Sequence, residues 1–214
     1  MHPQAARELS PLFSATMTSM WVHLVRHGEV ENPDGLVYGD LPGFNLSETG
    51  QTQAREAAAR LAASPLAAIW SSPLQRALQT AEAIAASHHL PVRVHPQLTE
   101  WRLGSWTGIL WSELANRLPG QLEAYLSDPT DLAFADESLD DLARRVAIGI
   151  VEAIAISGGD VVIVGHQDPL QAARLLLTGQ SLDRQHQDKP AHGSVITLSP
   201  DDPWREVEHW RPSR

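Results

Sequence analysis

Short apolar runs alternate with helix-forming stretches along nearly the whole of this 214-residue chain, and that alternation leaves few folds open. Trp21 to Val25, Leu66 to Trp70, Pro91-Val92-Arg93-Val94, Val161 to Val164, Val195 to Leu198 and Trp204 to His209 read as strands. Val161 to Val164 is the clearest, an unbroken apolar run of the kind a strand covered on both faces requires. Helix patterns lie between them. Ser47 is placed to cap a helix through Gln53-Ala54-Arg55-Glu56-Ala57 to about Ala63. Ser72-Pro73 reads as N-cap and first residue of a helix with Leu74, Leu78 and Ala81 on one face. Ser138-Leu139-Asp140-Asp141 resembles a capping box with Asp in the Glu place. It opens a long helix to about Ile156 that Gly158-Gly159-Asp160 ends, and Asp168-Pro169 begins another. Glu100 to Glu137 looks like loop plus one helix. The expected fold is a three-layer α/β/α arrangement with a mostly parallel central sheet.

Composition narrows the function classes. Hydrophobic residues make up 43% of the chain, enough for a globular core. There is no cysteine, which excludes disulfides, thiolate zinc sites and a cysteine nucleophile. A net charge of −10 without a basic cluster argues against binding to nucleic acid or an anionic membrane. No apolar run spans a bilayer; the best, Val146 to Ile156, is interrupted by Glu152. The first twenty residues lack the basic start and apolar stretch of a secretory signal, and Met17 and Met20 precede the first strand. Residues 1–20 are therefore expected to be a flexible extension and 21–210 a single domain, in a cytoplasmic protein whose oligomeric state is open.

The chemistry concentrates at predicted strand ends. Arg26-His27-Gly28-Glu29 follows the first strand, Arg76 lies in the first turn after the second, and His166 follows Val161 to Val164. Ligands bind at that end of an open α/β sheet. Arginine offers a planar fork to phosphate oxygens, neutral imidazole is a nucleophile, and helix N-termini favour anions. Two arginines and two histidines converging there make a cationic pocket suited to a phosphate dianion.

Six motifs in order then point to a family. Leu24-Val25-Arg26-His27-Gly28-Glu29, Leu46-Ser47-Glu48-Thr49-Gly50-Gln51-Thr52-Gln53-Ala54, Ser71-Ser72-Pro73-Leu74-Gln75-Arg76-Ala77, Leu98-Thr99-Glu100, Gly104-Ser105-Trp106-Thr107-Gly108 and Val164-Gly165-His166 resemble the histidine phosphatase superfamily, also called phosphoglycerate-mutase-like. The resemblance runs from about Trp21 to Trp210. It implies a phosphoric monoester hydrolase acting on a small phosphorylated substrate, with no metal or other cofactor. It also implies His27 as nucleophile, Arg26, Arg76 and His166 as phosphate ligands, and Glu100 as general acid and then base. Gln167, Asn32 and Gly39 are further candidate substrate contacts.

Departures from the family pattern are specific. Gln167-Asp168 replaces the two glycines that follow the second histidine in many relatives, with Asp168 read as a helix cap. Asp40 stands where a basic residue is often found, and Thr107 where glutamate is common. Glu113 and Glu137 fall in the same region as Glu100 and compete for its role. His23 is read as a packed histidine rather than half of a zinc pair, and Trp101, Trp106 and Trp111 as core. His186 and His192 read as part of a polar loop. A mutase and a catalytically silent phosphate binder are the alternatives. The Glu100 to His166 segment has Arg102, Arg117, Arg144 and Arg145 as its only basic residues, which favours hydrolysis.

Overall fold

A computed structural model describes residues 20–213. The expected N-terminal extension lies outside the described residues except for Met20, which is buried in the core.

Six strands form one sheet: β1 (Val22–Arg26), β2 (Leu66–Ser71), β3 (Val92–Val94), β4 (Asp160–Gly165), β5 (Val195–Ser199) and β6 (Arg205–Trp210). Their order is β3-β2-β4-β1-β5-β6. The first four strands are mutually parallel, and β5 and β6 are antiparallel additions at one edge. Helices α1 (Glu48–Leu61), α2 (Gln75–His88), α3 (Leu114–Arg117), α4 (Gln121–Ser127), α5 (Leu139–Ser157) and α6 (Gln167–Leu177) complete the fold. No described helix is long and apolar enough to cross a membrane.

Strand alternation divides the core in two. Val25, Ile69, Val162 and Val164 pack with Ala57, Leu61, Ala77, Ala81 and Ile84 of α1 and α2. Leu24, Trp70, Val161 and Ile163 pack on the other face with Leu142, Val146, Ile150 and Leu170 of α5 and α6. The expected three-layer, mostly parallel architecture is what the chain adopts.

Local signals account for most element ends. Ser47 caps α1 by accepting from Gly50 N, and Ser138 caps α5 by accepting from Asp141 N while its hydroxyl donates to Asp141. Gly158, in the left-handed region, ends α5. Two expectations fail. Helix α2 begins at Gln75 after Leu74, not at Ser72-Pro73. The Ser72 side chain instead accepts weakly from Leu74 N at 3.3 Å and bonds a histidine of the site. The 100–137 segment holds two short helices, α3 and α4, and two single 3-10 turns at Gly104–Trp106 and Trp111–Glu113. Burial of Trp106, Leu114 and Tyr125 holds these short pieces together where helical propensity alone is too weak.

Sheet register continues past the strand ends. His27 N donates to Gly165 O at 3.0 Å and Ser72 N to Val164 O at 2.9 Å. The residues after β2, β4 and β1 therefore lie side by side as Ser72, His166 and His27. Gly28 lets this rim meet the N-terminus of α1, because a Cβ there would stand 2.3 Å from Gly50 O.

Candidate active site

His27 is buried, and its Nδ1 lies 2.7 Å from Gly28 O. A carbonyl only accepts, so Nδ1 carries the proton and Nε2 the lone pair. Burial, first of all, holds the His27 pKa well below the ordinary histidine value; His166, Arg26 and Arg76 push it the same way. The ring is therefore neutral at pH 7.

His166 caps the start of α6, with its ring 5.1 Å from that of His27. Its Nε2 is 2.7 Å from Ser72 Oγ. With the Ser72 hydroxyl donating to Nε2, the His166 proton resides on Nδ1, the tautomer that turns a donor toward the site. That Nδ1 has no hydrogen-bond partner among the described residues and lies 3.7 Å from Glu100 Oε2. Burial, then Arg76 and Arg26, hold His166 neutral as well.

Two guanidinium groups flank the histidines. Arg26 donates from Nη1 to Pro190 O at 3.0 Å and from Nη2 to His192 Nε2 at 2.7 Å. Arg76 donates to Gly39 O at 2.6 Å and lies over the Tyr38 ring at 4.7 Å. The Nε of each is buried without a partner among the described residues. Unspent donors on Arg26, Arg76 and His166 beside a neutral imidazole lone pair form a receptor for a tetrahedral oxyanion.

Glu100 faces this cluster from a loop, its side chain 16% exposed. Its Oε1 accepts from Trp101 N at 2.9 Å. Burial and then Asp168 raise its pKa to about 7, against the opposing pull of Arg76 and Arg26. Donor atoms of His27, Glu100 and His166 lie within 4.8 Å of one another, close enough to share a metal ion. The two neighbouring guanidinium charges disfavour a cation there.

The loop is fixed by Arg145 of α5. Its Nη1 donates to Gln97 O at 2.6 Å and Thr99 O at 3.1 Å, and its Nε and Nη2 clamp the Glu137 carboxylate at 2.6 and 2.8 Å. Glu137 is thereby a buried structural partner, and Glu113 pairs with Arg117 on the surface. Of the three candidate glutamates Glu100, Glu113 and Glu137, only Glu100 meets the histidines.

The remaining candidates have other engagements. Asn32 spends its amide on both backbone groups of Leu36 at 3.0 Å. The Gly39 carbonyl is taken by Arg76, and Gln167 Nε2 reaches Pro190 O at 3.3 Å. Asp168 does not cap α6: its carboxylate accepts from Tyr125 OH and Gln185 and pairs with Lys189 at 2.6 Å. His23 is packed, its Nδ1 3.0 Å from Thr197 Oγ1. Trp101 and Trp106 are core, but Trp111 is half exposed.

Sequence reasoning assigned His192 to a polar loop, yet its ring lies 5.6 Å from that of His27. Antiparallel β5 explains this. A strand running against β1 begins where β1 ends, so the loop before Val195 reaches the site, with Gly193 N donating to Arg26 O at 3.1 Å. The available signal was a closing strand pair with only a short loop after it.

The chain is similar to known proteins. The chain is 34% identical over 165 residues to phosphoserine phosphatase 1 of Hydrogenobacter thermophilus, covering 75% of this chain and 77% of that one. It is 36% identical over 152 residues to a 2,3-bisphosphoglycerate-dependent phosphoglycerate mutase of Thermoplasma acidophilum, covering 70% and 72%. The solved structure of mycobacterial glucosyl-3-phosphoglycerate phosphatase Rv2419c superposes with a TM-score of 0.80 at 29% identity, covering 92% of this chain and all of that one. The sequence profile of the histidine phosphatase superfamily (branch 1) matches residues 22–212, and with that match the chain belongs to this superfamily as a phosphatase-type enzyme.

Proposed function

We propose that the protein hydrolyses phosphomonoesters through a phosphohistidine intermediate, without a metal. His27 Nε2 attacks phosphorus as the ester P–O bond breaks, and Glu100 gives its proton to the departing alkoxide oxygen. Arg26, Arg76 and His166 Nδ1–H hold the three equatorial oxygens of the transferring group. Water then attacks the phosphohistidine. Glu100, now a carboxylate, takes the water proton, the P–N bond breaks, and His27 Nε2 recovers its lone pair.

The observation that carries this reading is the fixed tautomer of His27, whose Nδ1 is tied to Gly28 O beside the guanidinium groups of Arg26 and the buried Arg76. Nothing in simple anion binding needs a neutral imidazole held this way. Hydrolysis rather than mutase transfer is favoured by the acidic segment. Arg102 and Arg145 pair with Glu137, Arg117 with Glu113 and Arg144 with Asp140, so these cations are committed to carboxylates instead of a second phosphate.

The test is phosphate release from p-nitrophenyl phosphate in EDTA by the native protein and by His27→Ala, with trapping of an acid-labile phosphoenzyme. Native turnover and labelling, both abolished in the variant while its thermal transition is retained, are expected. An active His27→Ala protein would refute the nucleophile assignment, and loss of native activity in EDTA would refute metal independence.

A further inference from the structure

A cavity of about 420 Å³ opens beside the catalytic cluster, lined in part by Glu29, Glu31, Asn32, Tyr38, Ser47 and His192. Two of its walls belong to the cluster as well. Tyr38 lies under the Arg76 guanidinium, and His192 bonds Arg26. An ester whose phosphoryl group sits between the arginines therefore meets this cavity with its alcohol portion.

The charge around the cavity is one-sided. From Gly28 to Ala54 the chain carries Glu29, Glu31, Asp34, Asp40 and Glu48 and no lysine or arginine. Glu29 is fixed in place, its Oε1 accepting from Ser47 Oγ at 2.7 Å. His192 adds no compensating charge, because burial and Arg26 lower its pKa to about 3. The only lysine of the chain, Lys189, is paired with Asp168 at 2.6 Å. Arg26 and Arg76 are joined to the cavity walls through His192 and Tyr38, and a phosphoryl group engages both.

We infer that the substrate's alcohol portion carries hydroxyl or ammonium donors and no carboxylate or second phosphate. This rests on the hydrolytic reading above and deepens it to a substrate class. A carboxylate on the leaving group faces Glu29 and Glu31 with no arginine or lysine among the described lining residues, whereas hydroxyls and ammonium find acceptors on the same side chains. The phosphate ester supplies the affinity, and the cavity discriminates by repulsion.

The experiment compares kcat/KM for phosphoethanolamine, glycerol phosphate and 3-phosphoglycerate, with p-nitrophenyl phosphate hydrolysis and phosphoenzyme trapping run in parallel. The first two are expected to exceed 3-phosphoglycerate by about tenfold or more (tenfold being ~1.4 kcal/mol). The gap should narrow as salt rises. It should also narrow in the Glu31→Gln variant. 3-Phosphoglycerate turned over as well as glycerol phosphate, or a gap indifferent to both salt and the Glu31→Gln variant, overturns the inference and leaves hydrolysis standing. Absence of both phosphoenzyme and release from p-nitrophenyl phosphate overturns the hydrolytic reading instead.

Discussion

The site has a floor and a wall, and they are held in place by different means. The floor is Ser72, His166 and His27, aligned by backbone hydrogen bonds that extend the register of β2, β4 and β1. The wall is Glu100, carried on an irregular segment outside the sheet that the Arg145 fork chiefly fixes. The floor tolerates substitution elsewhere because sheet pairing is set by many residues at once. The wall depends chiefly on the Arg145 guanidinium and its buried partner Glu137. In the proposed mechanism, the floor makes the phosphoenzyme and the wall controls protons.

Glu100→Gln tests the wall most directly. For alkyl phosphates kcat/KM should fall by about 10²–10⁴-fold, the usual contribution of a positioned acid. An ester of p-nitrophenol leaves without a proton, so its kcat/KM should fall much less, while its kcat still feels the loss of the base that activates water on the phosphohistidine. Equal losses of kcat/KM on both esters would show that the residue is structural. The raised pKa sets the pH dependence in the native enzyme. Glu100 is protonated below about pH 7 and ionised above it. Log kcat/KM for alkyl esters should therefore decline above that pH, while the p-nitrophenyl ester follows a flatter course. His27 and His166, both lowered, add no loss of neutral imidazole in this range.

Arg76→Ala tests the floor. Its loss should lower kcat/KM by about 10²–10³-fold on both ester types, as removal of one preorganised donor does. Leaving-group independence is the discriminating result, because the floor acts on phosphoryl oxygens that every ester shares. A loss confined to alkyl esters would assign Arg76 to the wall.

Arg145→Ala should divide stability from chemistry. Glu137 is 5% exposed and would keep a buried carboxylate without its fork. A buried carboxylate left wholly unpaired costs about 3–5 kcal/mol, or a fall in Tm of roughly 6–20 °C for a chain of this size, and Arg102 at 3.6 Å offsets part of that loss. At a temperature where the variant is folded, alkyl-ester turnover should drop by about tenfold through a misplaced Glu100, again with p-nitrophenyl phosphate spared. The Arg145→Ala/Glu137→Gln double variant should recover stability and leave the alkyl-ester defect.

The same division governs how much of the molecule was legible in its sequence. The floor was readable because strand periodicity, helix caps and chain order all act locally: Arg26, His27, Arg76 and His166 follow apolar runs whose identity as strands is hard to mistake. The wall was readable only in part. Glu100 could be named from its motif, but Glu137 and Glu113 competed with it until the Arg145 fork and the Arg117 pair were seen. His192 and Lys189 escaped because an antiparallel strand brings its leading loop to the site, and nothing in the local composition of that loop announces the direction of pairing. Ser72 was read as a helix cap since a Ser-Pro pair before a helical pattern has that form, but the site claims the hydroxyl and the helix starts later.

Asp168 and Lys189 offer the smallest and sharpest test, since neither touches the reacting atoms in the proposed mechanism. Asp168 is the second cause, after burial, of the raised Glu100 pKa. Lys189, 2.6 Å from the Asp168 carboxylate and 3.0 Å from Tyr125 OH, partly offsets that negative charge. Asp168→Asn removes the anion and leaves the cation, so both changes favour ionised Glu100. The descending limb for alkyl esters should move toward acid by a fraction of a pH unit. Lys189→Met does the reverse: it leaves Asp168 unscreened, favours protonated Glu100 and moves the limb toward base. A general loosening of the wall lowers kcat in both variants without opposing shifts, whereas opposite displacements, measured with alkyl esters and absent with p-nitrophenyl phosphate, require that the pair act electrostatically on the acid.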